Sequence, residues 1–197
     1  MIPDNTDAQD AADMARLVDG HDTALNSLME RHSEKLFHYL IRQLQSEAEA
    51  ADLAQETFVK VYQNRARFDP KNRFSTWLYT IATNLTRDRF RWRARHPQVA
   101  LDGENETTGG TLGDTLPDEK PGPVEEMQRA ERADAVRDAI AHLPEDLRTA
   151  IILSEYEGRS QAEIAAISGC SVKAVEGRVF RARQLLRARL ASVVDSR

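Results

Sequence analysis

The chain has 197 residues, a net charge of −5, 30% charged residues and only 6% aromatic residues. This length suits one domain or two small ones, and the many Ala, Leu, Arg, Glu and Gln residues with few β-branched runs predict an all-α fold. The one cysteine, Cys170, excludes an internal disulfide and a cysteine-rich metal site, and the five histidines lack metal-ligand spacing. We therefore expect no cofactor.

The first two helices are predicted over residues 11–45, where apolar residues recur at helical spacing. Gly20 predicts the break between them, and Asp22 or Thr23 predicts the cap of the second. The segment that precedes them is acidic and lacks the apolar core of a signal peptide. No apolar run approaches the ~20 residues of a membrane helix, so we expect a cytoplasmic protein without membrane insertion.

Two further helices are predicted before residue 98. Ser46, three residues before Glu49, predicts a capping box for a third helix that runs to about residue 66. After a proline-containing turn, Ser75 is expected to cap a long fourth helix, which Pro97 ends.

Residues 98–124 are acidic, contain many glycines and prolines, and show no apolar periodicity. This composition is typical of a flexible linker. We therefore expect two small helical domains, residues 8–97 and 125–192, joined by a flexible acidic linker.

Four helices are predicted after the linker. The first ends at His142. Pro144, Glu145 and Asp146 favour the start of the second, which stops near Gly158.

Residues 160–183 carry a helix-turn-helix signature. Ser160 predicts a capping box, Ala165 is small enough for two helices to cross closely, and Gly169 supplies the positive φ of the tight turn. The last helix begins at Ser171 and presents a basic face, as a DNA-reading helix does. The alternative is a helical hairpin that does not bind DNA and whose basic face is simply exposed to solvent.

Charge is segregated along the chain. Residues 65–95 carry a net +7, residues 99–135 a net −7 and residues 171–190 a net +5. Segregation of this kind predicts two surfaces that face a polyanion, separated by an acidic connector.

The motifs on both sides of the linker resemble one family. Segment 143–190 reads LPEDLRTAIILSEYEGRSQAEIAAISGCSVKAVEGRVFRARQLLRARL and resembles the σ4 domain of an extracytoplasmic-function (ECF, group IV) sigma factor of the σ70 family. Segment 51–95 reads ADLAQETFVKVYQNRARFDPKNRFSTWLYTIATNLTRDRFRWRAR and resembles σ2. The resemblance implies a bacterial alternative sigma factor that binds core RNA polymerase and directs promoter recognition, DNA melting and transcription initiation.

The resemblance also implies a docking face on the third helix. Its partner would be the β′ clamp helices of core RNA polymerase, and the β flap is a further polymerase partner that the resemblance implies for the chain. The candidate core-polymerase contacts are Asp52, Gln55, Glu56 and Gln63.

The fourth helix and its basic tail are the implied site for the melted −10 element. A protein that opens DNA must hold a flipped base and the single-stranded backbone. Asn84 is expected nearest the flipped base, with Arg87 and Arg91 on phosphates, while Trp77 fits either core packing or base stacking. The candidate −10 contacts are Thr80, Thr83, Asn84, Arg87 and Arg91.

The second helix of the helix-turn-helix would read the −35 element. Glu176 departs from the basic or small residue common in the family, and its carboxylate could accept a hydrogen bond from cytosine N4. The cations are expected mainly on phosphates. The candidate −35 contacts are Ser171, Lys173, Ala174, Glu176, Gly177, Arg178, Arg181 and Arg183.

Two other functions compete with this interpretation. A helix-turn-helix transcriptional regulator that is not a sigma subunit predicts a receiver or ligand domain, but residues 8–97 lack strand–helix alternation. An enzyme such as a nuclease is disfavoured because no clustered carboxylates and no glycine-rich phosphate loop are present. The resemblance adds an anti-sigma factor as a partner. Cys170 fits a small hydrophobe better than a redox switch.

Overall fold

The computed structural model describes residues 5–96 and 123–194, and these ranges contain no strand. Helices α1–α4 form the first domain and α5–α8 the second, which confirms the predicted all-α fold of two small helical domains. The predicted linker, 98–124, lies outside the described residues except for its last two. The helices are α1 (Asn5–Val18), α2 (Ala24–Leu44), α3 (Glu47–Gln63), α4 (Phe74–Arg95), α5 (Pro123–Ala141), α6 (Glu145–Glu155), α7 (Gln161–Ser168) and α8 (Val172–Val194), with a 3-10 helix at Arg65–Arg67.

Local sequence sets most helix boundaries of the first domain. Gly20 separates α1 from α2, as predicted, with a positive φ of 92°. Thr23 precedes α2, but its side chain makes no capping hydrogen bond, so the polar cap predicted there is wrong. Ser46 does cap α3, because its Oγ accepts a hydrogen bond from the Glu49 amide at 3.4 Å. The predicted capping box is only half formed, since the Glu49 carboxylate pairs with Arg89 and Arg93 instead of the Ser46 amide.

The cap predicted at Ser75 is also wrong. Helix α4 begins one residue earlier, at Phe74, and the residue in the capping position is Arg73, whose side chain makes no capping hydrogen bond. Ser75 is only 6% exposed, and its Oγ accepts a hydrogen bond from Nη1 of Arg159 at 2.9 Å. The Ser75 side chain therefore contributes to the contact with the second domain.

A buried ion cluster ties α1 to α2. The fully buried Asp10 places Oδ2 2.7 Å from Nε2 of His32 and accepts a hydrogen bond from Nε of Arg31 at 2.9 Å. Arg31 also donates to Asp13 at 2.6 Å. Burial lowers the pKa of Arg31, but the hydrogen bonds with Asp13 and Asp10 outweigh it and raise the pKa overall.

The second domain follows its local signals closely. Pro144 directly precedes α6, and Glu145 and Asp146 lie in the first turn of that helix, where they complement the helix dipole. Ser160 forms the predicted capping box at the start of α7, and Gly169 ends that helix with a φ of 64°. This left-handed residue turns the chain into α8.

The two domains pack directly against each other. Helix α4 contacts α7, and α2 contacts both α5 and α6. The buried apolar residues of both domains form one continuous cluster.

Candidate nucleic-acid interface

Helix α3 presents one exposed polar face. Asp52, Gln55, Glu56 and Gln63 are all exposed, and their spacing places them on one side of the helix. Val59 lies on the same side and is 51% exposed, a feature that the sequence prediction missed although its spacing of three and four residues could have revealed it. The opposite side is buried and holds Leu53, Thr57, Phe58 and Val61.

A surface cleft of about 310 Å³ lies between α3 and α4. Asn84 lies in this cleft and is exposed. Trp77 reaches it too, while its ring packs 5.3 Å from that of Phe68, so this residue combines core packing with exposure to the cleft. The cleft is lined by Lys60, Asn64, Arg67, Trp77, Ile81, Asn84, Leu85 and Asp88.

Asp88 and three polar residues from outside α4 also line this cleft and were not predicted as contacts. The three are Lys60, Asn64 and Arg67. They come from the end of α3 and the 3-10 helix, which the fold brings next to α4. The run of basic and amide residues that follows α3 in the sequence could have indicated that this segment contributes to the cleft. With these residues, the lining of the cleft contains both polar and apolar side chains.

The two threonines predicted beside Asn84 differ in position. The Thr80 Oγ1 donates a hydrogen bond to the Thr76 carbonyl at 2.8 Å and is partly exposed. Thr83 is 1% exposed, and its Oγ1 lies 2.8 Å from the Tyr39 hydroxyl. Thr83 is therefore inaccessible to a ligand in this arrangement.

The arginines at the end of α4 spread around the helix, as the helical spacing predicts. Arg89 and Arg93 both pair with Glu49 of α3. Arg91 is 70% exposed and pairs only with the equally exposed Asp88 at 3.3 Å among the described residues. Arg87 points the other way, toward the second domain, where its Nη2 donates to a backbone carbonyl of α7 at 3.1 Å.

The helix-turn-helix presents an exposed face on α8. Ser171 caps the helix, since its Oγ accepts a hydrogen bond from the Ala174 amide at 3.2 Å. Lys173, Glu176 and Arg181 are exposed. The half-buried members of the predicted set are Ala174, Gly177 and Arg178.

Two arginines of the predicted −35 set are held by their own domain. Arg178 pairs with Asp146 at 3.0 Å and donates to the half-buried Cys170 sulfur at 3.3 Å. Arg183 pairs with Glu155 at 2.6 Å. These contacts fix the helix-turn-helix on α6 and leave Lys173 and Arg181 as its outward cations.

Glu163 links the helix-turn-helix to the first domain. Its Oε2 accepts hydrogen bonds from the Ser160 amide at 3.0 Å and from the Ser160 hydroxyl at 2.6 Å, and its Oε1 lies 3.1 Å from Nη1 of Arg73. Burial raises the pKa of Glu163, but the Ser160 hydrogen bonds and the charges of Arg159 and Arg73 outweigh it and lower the pKa overall.

Two negative observations apply to the described ranges. None of their helices is long and apolar enough to cross a membrane. They also contain no group of three or more His, Cys, Asp or Glu side chains that could hold a metal ion.

Both domains match known protein families. Residues 28–96 match the Sigma-70 region 2 model, and residues 133–186 match the Sigma-70 region 4 model. The ECF RNA polymerase sigma-E factor of Haemophilus influenzae is 37% identical to this chain over 181 residues, which covers 90% of this chain and 93% of that protein.

The chain belongs to the ECF sigma-factor family. The RNA polymerase sigma-H factor of Pseudomonas aeruginosa, 35% identical with 92% of this chain and 93% of that protein covered, agrees with this placement. So does the ECF RNA polymerase sigma factor SigW of Bacillus subtilis, 34% identical with 87% of this chain and 91% of that protein covered.

Solved sigma-factor structures share the fold. CnrH, solved in complex with the cytosolic domain of CnrY, has a TM-score of 0.66 and 30% identity, with 93% of this chain and 98% of that chain covered. RpoE from Bartonella quintana, solved with the anti-sigma factor NepR, has a TM-score of 0.63 and 25% identity, with 84% of this chain and 96% of that chain covered. A regulator with an unrelated N-terminal domain is therefore excluded, and the sigma-factor prediction is confirmed.

Proposed function

We propose that this sigma factor binds core RNA polymerase through α3, captures the −10 element with α4 and reads the −35 element with α8. The observation that carries the proposal is the position of the cleft around Asn84, which adjoins the exposed face of α3 in the domain that matches Sigma-70 region 2. The functional units are residues 8–97, the linker 98–124 and residues 125–192. The protein acts where RNA polymerase acts, in the cytoplasm.

The exposed face of α3 is the docking site for the β′ clamp helices. Asp52 and Glu56 lie on the same exposed side as Val59, and an apolar residue with polar neighbours is typical of protein interfaces. Gln55 and Gln63 supply neutral hydrogen-bonding groups beside it. The β flap is the second polymerase contact and belongs to the other domain.

The cleft between α3 and α4 is the receptor for a flipped base of the −10 element. Asn84 and Asn64 offer amide donors and acceptors for a base edge, and Trp77 offers an aromatic surface. Lys60 and Arg67 supply cations for the adjoining phosphates. These five residues take the place of Thr83 among the predicted −10 contacts, because Thr83 is buried.

Helix α8 reads the −35 element in the major groove. Lys173 and Arg181 are the outward cations for phosphates, and Glu176 lies between them on the exposed face. A carboxylate at a base edge favours a cytosine. The protein supplies no catalytic residue, because the polymerase carries out the chemistry.

An anti-sigma factor is the third class of partner. Both similar structures named above were solved with a second protein, and one of those partners is named as an anti-sigma factor. A partner that covers the α3 face would prevent binding to core polymerase.

In vitro transcription with start-site mapping tests the proposed function. Core RNA polymerase from the same host is incubated with sheared genomic DNA, with and without the purified chain, and the transcript 5′ ends are sequenced. We expect new start sites that share two spaced upstream elements. Transcripts that are identical with and without the chain would refute initiation by this protein.

A further inference from the structure

Trp92 is an exposed aromatic residue at the basic end of α4. It is 44% exposed, although an aromatic side chain contributes most to stability when it is buried. The other tryptophan of the chain, Trp77, packs against the ring of Phe68. The core, the α3 docking face and the cleft described above leave Trp92 without a role.

The indole of Trp92 is supported on one face by His96. The two rings are stacked, with their centroids 4.8 Å apart and their planes inclined by 21°, and Nδ1 of His96 lies 3.0 Å from the Trp92 carbonyl oxygen. Within residues 5–96 and 123–194, no other aromatic ring and no guanidinium group lies over the indole. The pair therefore forms a flat aromatic platform at the surface.

Phe90, two residues earlier, has a different environment. Its ring packs against the hydrophobic core, and the guanidinium carbon of Arg148 in α6 lies 5.4 Å from the ring centroid. Residues two apart on a helix do not face the same side. Trp92 therefore points away from α6 and is accessible in the free chain.

Trp92 continues the side of α4 that lines the proposed −10 cleft. Leu85 and Asp88 line that cleft, and Trp92 follows them by seven and four residues, which is the spacing of one helix face. Asn84 lies eight residues before Trp92, which corresponds to roughly 12 Å along the helix axis. Because stacked nucleotides rise by roughly 3.4 Å each, one short strand can reach both the cleft and the platform.

Two exposed arginines flank the platform. Arg91 directly precedes Trp92, and Arg95 follows it by three residues, which makes Arg95 a neighbour on the helix surface. Arg91 pairs with Asp88 at 3.3 Å, but both side chains are 70% exposed, so this pair is weak. Nε of Arg95 donates a hydrogen bond to the Arg91 carbonyl at 3.3 Å. An aromatic surface beside exposed cations is typical of sites that bind single-stranded nucleic acid.

We infer that Trp92, supported by His96, stacks on one unpaired base of the melted promoter strand, while Arg95 contacts an adjoining phosphate. An unpaired base is the fitting occupant, because the bases of a duplex already have both faces covered by their neighbours. Every base has a π-face, so the platform adds affinity without selecting a sequence. The inference rests on the proposed function for the identity of the strand and adds a second base site to the cleft around Asn84.

Binding of the full chain to a short fluorescent oligo(dA) strand tests the platform. Trp92→Leu keeps an apolar side chain but removes the flat ring, and it should weaken binding about tenfold. The matched control is Trp92→Phe, which keeps an aromatic ring and should retain most of the affinity. Circular dichroism shows whether each variant keeps its helices. Natural affinity in Trp92→Leu, or an equal loss in both variants, would overturn the inference.

An abasic strand of the same length separates stacking from charge. The natural chain and Trp92→Leu should bind this strand equally, because it carries no base to stack. Arg95→Ala should weaken binding to both strands and lower the slope of log affinity against log salt by about 0.7, whereas Trp92→Leu should leave the slope unchanged. A Trp92→Leu defect of the same size on the abasic strand would show that the indole does not act by stacking.

Asn84→Ala distinguishes failure of this inference from failure of the proposed −10 cleft. Weaker oligo(dA) binding by Asn84→Ala, with none lost in Trp92→Leu, would refute the platform and leave the cleft in place. The opposite result would support the platform and count against the cleft. A natural chain that does not bind oligo(dA) would also refute the platform, while start-site mapping would remain an independent test of initiation.

Discussion

The hydroxyls of Tyr39 and Thr83 lie 2.8 Å apart, and both side chains are at most 1% exposed. The pair joins α2 to α4 inside the first domain. The next residue, Asn84, is exposed in the cleft between α3 and α4. Of these two neighbouring polar residues, Thr83 is therefore part of the core, while Asn84 is accessible for the binding role proposed above.

Substitution of these neighbours should separate the two roles. Thr83→Val leaves the buried Tyr39 hydroxyl without its partner and should lower the free energy of unfolding by about 1–3 kcal/mol. Asn84→Ala should leave stability nearly unchanged and weaken open-complex formation. Urea unfolding and permanganate footprinting of melted promoter DNA measure the two effects. A Thr83→Val protein of normal stability that melts DNA poorly would show that Thr83 contacts DNA directly.

Removal of Asp10 should be one of the most damaging single changes to the first domain. Asp10→Ala leaves His32 and Arg31 facing a vacated, buried carboxylate site, and breaking a buried charge pair costs about 3–5 kcal/mol. The control is Asp7→Ala, since Asp7 pairs with the 47% exposed Arg73 and should cost less than about 1 kcal/mol. If both variants lost the same free energy of unfolding in urea, the Asp10 cluster would not be a major stabilising contact of the domain.

Glu163 makes the stability of the helix-turn-helix sensitive to acid. The pKa of Glu163 in the folded protein lies below its ordinary value of 4.5, so its ionised form stabilises the fold fully above about pH 4.5. That contribution is lost as the pH falls through the lower, folded-state pKa. The difference in melting temperature between the natural protein and Glu163→Gln should therefore be largest near pH 7 and shrink in acid. A difference that is independent of pH would exclude the ionised Glu163 as its source.

The cations of α8 should differ in their contribution to DNA binding. Lys173→Ala should weaken binding to every duplex and reduce the slope of log affinity against log salt by ~1, as expected for one lost phosphate contact. Arg178→Ala, which loses Asp146 and the Cys170 sulfur, should chiefly lower the melting temperature. Fluorescence anisotropy over a salt series, with the full chain, measures the slopes. A larger change of slope for Arg178→Ala than for Lys173→Ala would reverse the assignment.

The features that sequence predicted correctly are those determined by neighbouring residues. The capping box at Ser160 and the left-handed Gly169 need only a few adjacent residues, and the structure has both. The spread of arginines along α4 likewise follows from helical geometry.

The features that sequence missed depend on residues distant in the chain. Ser75 has the local pattern of a cap but binds Arg159, 84 positions further on. The cleft needs Asn64 and Arg67 from outside α4, and the burial of Thr83 depends on Tyr39, 44 positions earlier. Local patterns carry no information about which distant element will pack against a given face.

Binding to core RNA polymerase from the same host tests the central claim most directly. The natural chain is compared with the triple variant Asp52→Arg/Gln55→Ala/Glu56→Arg on α3. The matched control is Asn26→Ala/Glu30→Arg/Glu34→Arg, which makes the same change of charge at exposed positions of α2. We predict tight, stoichiometric binding by the natural chain and the control, and loss of binding by the α3 variant. Failure of the natural chain to bind, or full binding by the α3 variant, would contradict the account.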